Sequence, residues 1–121
     1  MAAPFEITIH DDIVLVRPAG DVDLTTADPL RRGCLAAMTN DCVGLVVDLT
    51  ASRYLDSAGI RAFFSIAEQL EPHRQRLALV VPADAHLRRV LAIVDIESSA
   101  SVDETVEAAF ERLRAPARPR G

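Results

Sequence analysis

The tetrad Asp56-Ser57-Ala58-Gly59 places a hydroxyl beside a carboxylate, where an apolar, strand-like run gives way to a helical apolar pattern. A helix N-terminus presents unpaired backbone N–H groups and a partial positive charge, and both favour a phosphate group. A phosphate ester on Ser57 would be held there, while its negative charge would oppose that of Asp56. The tetrad therefore predicts a serine whose phosphorylation changes what the surrounding surface binds.

A purely structural explanation of this serine is that it caps the helix, because serine is a favoured N-cap. Gly59 argues against stability alone, since a glycine in the first turn costs about 0.5 to 1 kcal/mol relative to alanine. No Glu or Gln follows Ser57 at the spacing of a capping box. The glycine indicates a close approach by another chain segment, either a binding partner or a neighbouring loop.

Short apolar runs predict the strands that position the tetrad. An N-terminal hairpin is predicted over residues 7–16, with its turn at Asp11-Asp12. The uninterrupted apolar runs within residues 43–49 and 77–81 predict buried strands. Because the Ser57 loop follows the first of these buried strands, it should emerge at the carboxyl edge of the sheet, where ligands and partners commonly bind.

Four helices complete the predicted pattern, each with an apolar stripe at helical spacing. Their predicted first residues or caps are Thr25 or Thr26, Ser57, Asp84, and Ser101 in a capping box with Glu104. The fold class is therefore α/β, a mixed sheet of four to five strands with an N-terminal hairpin and about four flanking helices. We expect one domain over residues 1–114 and a mobile C-terminal tail over residues 115–121.

Composition excludes several classes of function. The chain has 121 residues and a net charge of −5, so it lacks the basic surface of a nucleic-acid-binding protein. No apolar stretch reaches the roughly 20 residues that span a bilayer, and no signal region begins the chain, so we expect a cytoplasmic protein without membrane insertion. Cys34 and Cys42 lack partners at metal-ligand spacing, which predicts free thiols and no metal site.

Catalysis is not expected, and neither is a bound cofactor. The three histidines lie in separate segments, and no glycine-rich phosphate loop is present. A phospho-aspartate receiver domain is an alternative, because Asp11-Asp12 and Asp48 adjoin strand-like segments. However, receivers resemble one another in requiring a lysine near the phosphoacceptor, and the chain contains no lysine.

Residues 46–49 and 54–60 closely resemble the signature of STAS domains, specifically the small bacterial anti-sigma factor antagonists. The segment Gly20-Asp21-Val22-Asp23 is similar to the family's Gly-Glu/Asp-hydrophobic-Asp loop. Val81-Pro82 and the final amphipathic helix also fit, so the resemblance covers nearly the whole chain. Many members have a second Ser or Thr where this chain has Ala58, which leaves Ser57 as the single hydroxyl of the tetrad.

The resemblance implies a partner-switching function. The unmodified protein would bind an anti-sigma factor that is itself a serine kinase, and the sigma factor would be released. Phosphorylation of Ser57 by this kinase would end the binding, and a metal-dependent serine phosphatase would restore it. The partner-binding residues implied in this way are Asp21, Asp23, Asp56, Ser57, Ala58 and Gly59.

The sequence leaves two questions open, the role of Asp21 and Asp23 and the function itself. Asp21 and Asp23 are explained equally well as ordinary loop acids or helix caps. A STAS subunit that is never phosphorylated, and that acts as a scaffold in a signalling assembly or on a lipid-transport ATPase, is the alternative function.

Overall fold

The computed structural model describes residues 5–115, which form a five-stranded sheet with four α-helices. The predicted α/β fold is confirmed. Of the predicted tail, only Ala115 belongs to the described residues, and residues 116–121 lie outside them. None of the helices in this described part combines the length and the apolar character that crossing a bilayer requires.

The strands follow one another in chain order across the sheet. They are β1 (Phe5–His10), β2 (Ile13–Pro18), β3 (Gly44–Asp48), β4 (Arg76–Val80) and β5 (Ser101–Asp103). β1 pairs antiparallel with β2 as the predicted hairpin, and the remaining neighbours pair in parallel. Consequently the loops that leave β2 and β3 emerge side by side at the carboxyl edge of the sheet.

The helices are α1 (Ala27–Ala37), α2 (Ser57–Leu70), α3 (His86–Ile93) and α4 (Val106–Arg114). Side chains of α1, α2 and α3 pack against one face of the sheet in the larger apolar cluster. Side chains of α4 pack against the opposite face in a smaller cluster. The alternation of each strand explains this division, since Leu45 and Val47 face the larger cluster and Val46 faces the smaller one.

Two predicted helix starts are wrong. Ser101 does not open a helix, because residues 101–103 pair in parallel with β4 and complete the sheet as β5. Helix α4 begins later, where the Thr105 hydroxyl accepts a hydrogen bond from the Ala108 N–H at 3.1 Å. Asp84 lies in a turn before Ala85, which is the N-cap position of α3 and offers no side-chain cap.

Candidate functional site

Two neighbouring loops form the carboxyl edge of the sheet near Ser57: the β2–α1 loop (residues 19–26) and the β3–α2 loop (residues 49–56). An isolated parallel bridge pairs Val22 with Leu55. The Val22 N–H donates to the Tyr54 carbonyl at 3.3 Å, and the Asp56 N–H donates to the Val22 carbonyl at 3.3 Å. The two loops therefore form a single backbone-bonded unit.

Asp21, in the β2–α1 loop, links the two loops through its side chain. Its Oδ1 accepts hydrogen bonds from the backbone N–H groups of Arg53 at 2.9 Å and Tyr54 at 3.0 Å. Ser52 adds a third connection, because its hydroxyl donates to the Gly20 carbonyl at 2.7 Å. Asp21 thus satisfies two backbone donors across the loops, which is a sufficient structural reason for a carboxylate at this position.

Asp23 acts within its own loop and organises the start of α1. Its Oδ1 accepts from the Thr25 hydroxyl at 2.7 Å and from the Thr25 N–H at 2.9 Å. These hydrogen bonds, with the hydroxyl contributing most, lower the pKa of Asp23. The predicted threonine start of α1 is confirmed at Thr26, but Thr26 makes no side-chain capping bond within the helix.

Asp56, not Ser57, is the N-cap of α2. Its Oδ1 accepts from the Gly59 N–H at 3.0 Å, and its Oδ2 accepts from the Leu24 N–H at 3.0 Å. One carboxylate therefore caps the helix and holds the β2–α1 loop against it. The explanation of Ser57 as a capping serine is wrong, because the capping oxygen belongs to the preceding residue.

Ser57 is the first residue of α2 and is exposed. Among residues 5–115, no hydrogen bond joins its hydroxyl to another side chain or backbone group. The hydroxyl is therefore accessible to an external reactant and has no structural bond to lose. Its neighbour Ala58 is half-buried.

Gly59 is buried beneath the two loops. A Cβ atom at this position would lie 2.5 Å from Leu55 Cδ1 and 2.8 Å from the Val22 carbonyl oxygen. The sequence left two explanations for this glycine, close approach by a binding partner or by a neighbouring loop. The structure supports the neighbouring loop. Close approach by a partner is not needed to account for it.

Two exposed apolar side chains belong to this unit and were not predicted from the sequence. Leu24 is 76% exposed and Tyr54 is 57% exposed, although most apolar residues of the described chain are buried. Leu24 also borders a groove of about 260 Å³ between α1 and α2, which continues past Ala58 and Arg61. The available signal was an apolar residue flanked by polar ones, as Leu24 is by Asp23 and Thr25.

The acids of the receiver alternative do not come together. Asp11-Asp12 form the β1–β2 turn at the amino edge of β2, whereas Asp48 ends β3 at the carboxyl edge. Asp48 accepts from Arg17 Nε at 3.2 Å and from the Thr50 N–H at 3.0 Å, so it orders its own loop. Within residues 5–115, no group of three or more His, Cys, Asp or Glu side chains is arranged to hold a metal ion.

The comparison with known families agrees with this architecture. The sequence model of the STAS domain family matches residues 4–109 of the chain. The chain belongs to the STAS domain family. Within this STAS domain, Ser57 lies at the junction of β3 and α2, where the β2–α1 loop is bonded to the helix start.

Curated and solved relatives share the domain at low identity. The anti-sigma-F factor antagonist RsfB of Mycobacterium tuberculosis is 28% identical over 74 residues, which are 58% of this chain and 61% of the relative's length. An anti-sigma factor antagonist of Mycobacterium paratuberculosis has the same fold, with a TM-score of 0.80, 24% identity and coverage of 95% of this chain and 100% of that one.

The Bacillus protein SpoIIAA also shares the STAS fold. Its unphosphorylated form gives a TM-score of 0.70 at 20% identity, over 93% of this chain and 99% of that one. SpoIIAA has also been solved in a phosphorylated form.

Proposed function

We propose that this STAS domain is an anti-sigma factor antagonist that is switched by reversible phosphorylation of Ser57. Unmodified, it binds a kinase-type anti-sigma factor in the cytoplasm, and the sigma factor is released. Phosphorylated, it no longer binds, and a serine phosphatase returns it to the active form. The protein is then a regulated binding protein and a substrate, not an enzyme.

The observation that carries the proposal is the accessible Ser57 hydroxyl at the first residue of α2. In the kinase complex, Ser57 Oγ would attack the γ-phosphorus of ATP. The new O–P bond forms as the bond to ADP breaks, and the hydroxyl proton passes to a base of the kinase. Hydrolysis by the phosphatase would return the serine and release inorganic phosphate.

Fixed charge beside Ser57 supports a switch in binding. Both oxygens of Asp56 are engaged by backbone N–H groups, so this carboxylate is held beside the modified side chain. A phosphate adds roughly −1.5 to −2 charges at neutral pH. A partner that covers this surface would have to desolvate both groups, and each 1.4 kcal/mol lost weakens binding by about tenfold.

The proposed contact surface is formed by the exposed and half-buried side chains of the two-loop unit and of the start of α2. Gly59 lies beneath it and lets the loops approach α2, so its contribution to binding is indirect. The surface comprises Asp21, Asp23, Leu24, Tyr54, Asp56, Ser57 and Ala58.

Phosphorylation in vitro tests the proposal directly. The purified chain and its Ser57→Ala variant would be mixed with ATP and candidate kinase-type anti-sigma factors from the same genome, and intact mass and phosphopeptides measured. We expect one phosphate on Ser57 and none on the variant. We also expect Ser57→Ala to bind the kinase persistently and Ser57→Asp to bind it weakly.

Phosphate on a different residue would overturn the assignment of Ser57. Absence of phosphate with every candidate, for a chain that remains folded, would favour the scaffold alternative. In that case, the Ser57→Asp substitution should not change the affinity of the chain for its binding partners.

A further inference from the structure

Arg61 lies one helical turn after Ser57 on α2 and is exposed. Within the described residues it forms no ion pair, whereas Arg31 across the groove is paired with Asp28 at 2.8 Å. Arg32 is paired with the same Asp28 at 3.0 Å. Arg61 is therefore the arginine of this groove whose charge is not neutralised by a neighbour in the described chain.

Arg61 also borders an apolar surface. The groove between α1 and α2 is lined by Leu24 at its rim and by Ala58 and Ala62 along α2. A guanidinium beside this surface favours a partner segment that carries a carboxylate next to an apolar side chain. We take this segment to belong to the kinase of the proposed function.

We propose that Arg61 is the positioning residue through which the phosphate on Ser57 acts. In the unmodified chain its guanidinium is available to a carboxylate of the kinase. In the modified chain it pairs with the phosphate and leaves the partner's carboxylate without a cation. This inference rests on the proposed function, but the pairing of Arg61 with the phosphate can be measured without any kinase.

Helix geometry favours the pairing. Residues four apart lie on the same helix face, and an acidic group N-terminal to a basic one is the better orientation. A phosphate and a guanidinium can also form two parallel hydrogen bonds. The carboxylate of Asp56 is held by the N–H groups of Leu24 and Gly59 and cannot turn away from the phosphate. A nearby cation would offset the resulting repulsion between the two negative groups.

The first experiment places phosphoserine at position 57 by genetic encoding, so that no kinase is required. The ³¹P NMR signal would be titrated with pH in the otherwise native chain and in Arg61→Gln, Arg61→Lys and Arg74→Gln. Arg74 is a matched control, because it is exposed and lies beyond the opposite end of α2.

A nearby cation favours the dianionic phosphate, so the titration midpoint in Arg61→Gln should move to higher pH. Arg61→Lys should stay near the native midpoint, and Arg74→Gln should match it. Equal midpoints in Arg61→Gln and the native chain would overturn the pairing. This result is independent of whether any kinase phosphorylates Ser57.

The second experiment measures affinity for the kinase that phosphorylates Ser57. Arg61→Gln should weaken binding of the unmodified chain by about tenfold, as expected for loss of one interfacial charge pair. Phosphoserine at position 57 should then weaken the variant by a smaller factor than it weakens the native chain. Equal factors in the two chains would overturn the role of Arg61, as would native affinity in the unmodified variant.

Discussion

The carboxylate of Asp56 accepts a hydrogen bond from the backbone N–H of Leu24 at 3.0 Å, although 32 residues separate them in the chain. The other oxygen of the same carboxylate caps α2 at Gly59. The start of α2 and the β2–α1 loop are consequently fixed relative to each other. This leaves the Ser57 side chain free to be modified without disturbing the bonds that position it.

The first prediction separates the cap from the modified residue. Asp56→Ala should lower the free energy of unfolding by about 1 to 2 kcal/mol, because it removes the cap and the bond to Leu24. Ser57→Ala should change it by no more than about 0.5 kcal/mol, since its hydroxyl is exposed and has no bonded neighbour in the described chain. Urea unfolding followed by circular dichroism measures both values.

An equal loss in the two variants would contradict this division of roles. Asp56→Asn is the matched control, because its amide oxygen can replace one of the two acceptor oxygens. It should therefore fall between the native chain and Asp56→Ala.

A second prediction concerns Gly59. Gly59→Ala should destabilise the fold by about 1 to 3 kcal/mol, because the new methyl group overlaps the Val22 carbonyl and the Leu55 side chain. The better helix propensity of alanine, about 1 kcal/mol, offsets part of this loss. Urea midpoints of the two proteins give the difference.

Gly20→Ala is the control for this substitution. A Cβ atom at Gly20 would meet no heavy atom within 4 Å, so the stability of that variant should be close to native. If Gly59→Ala were as stable as Gly20→Ala, the contact between the loops and α2 would be looser than the distances indicate.

The parts of the fold that were predictable have a strong apolar period. The hairpin, β3 and β4 were found because each contains several consecutive or alternating apolar residues. β5 was missed because Ser101–Asp103 contains one apolar residue, and its strand conformation depends on pairing with β4. A polar segment of three residues provides no local signal of that kind.

The site was predictable at the level of the tetrad but not of its contacts. Ser57 was placed correctly at a helix start, whereas a capping role was considered for Ser57 and not for Asp56, which is the N-cap. Both residue types cap helices well, so sequence alone gives no basis for the choice. The exposure of Leu24 and the open groove beside Arg61 depend on how α1 packs against α2, which is a long-range property.

A third prediction concerns acid stability. The pKa of Asp23 is lowered chiefly by the Thr25 hydroxyl, so its contribution to stability is present above the pKa of the unfolded state. That contribution is lost as the pH falls through the lower pKa of the folded state. Asp23→Asn should therefore show a smaller loss of stability between about pH 6 and pH 3 than the native chain.

Urea midpoints measured across this pH range test the expectation. Thr25→Val should reduce the same pH dependence, because it removes the hydroxyl that contributes most to the shift. An identical pH dependence in the native chain and both variants would show that Asp23 is not held as the distances indicate.

The last prediction distinguishes the two cysteines. Cys34 is fully buried in α1, and burial raises the pKa of its thiol to about 12, so the reactive thiolate is suppressed at about pH 8. Cys42 is only half-buried, before β3. Titration with a disulfide reagent near pH 8 should modify Cys42 in the native chain and both thiols after unfolding in urea.

Cys42→Ser supplies the control, since it should show almost no reactive thiol until it unfolds.

Burial also makes the contribution of Cys34 to stability depend on pH. Because the raised pKa of Cys34 keeps its thiol neutral, this contribution should be lost as the pH rises above the pKa of an unfolded cysteine. Rapid modification of Cys34 in native Cys42→Ser would mean that α1 opens readily from the sheet. The groove between α1 and α2 that we assign to partner binding would then not be a fixed surface.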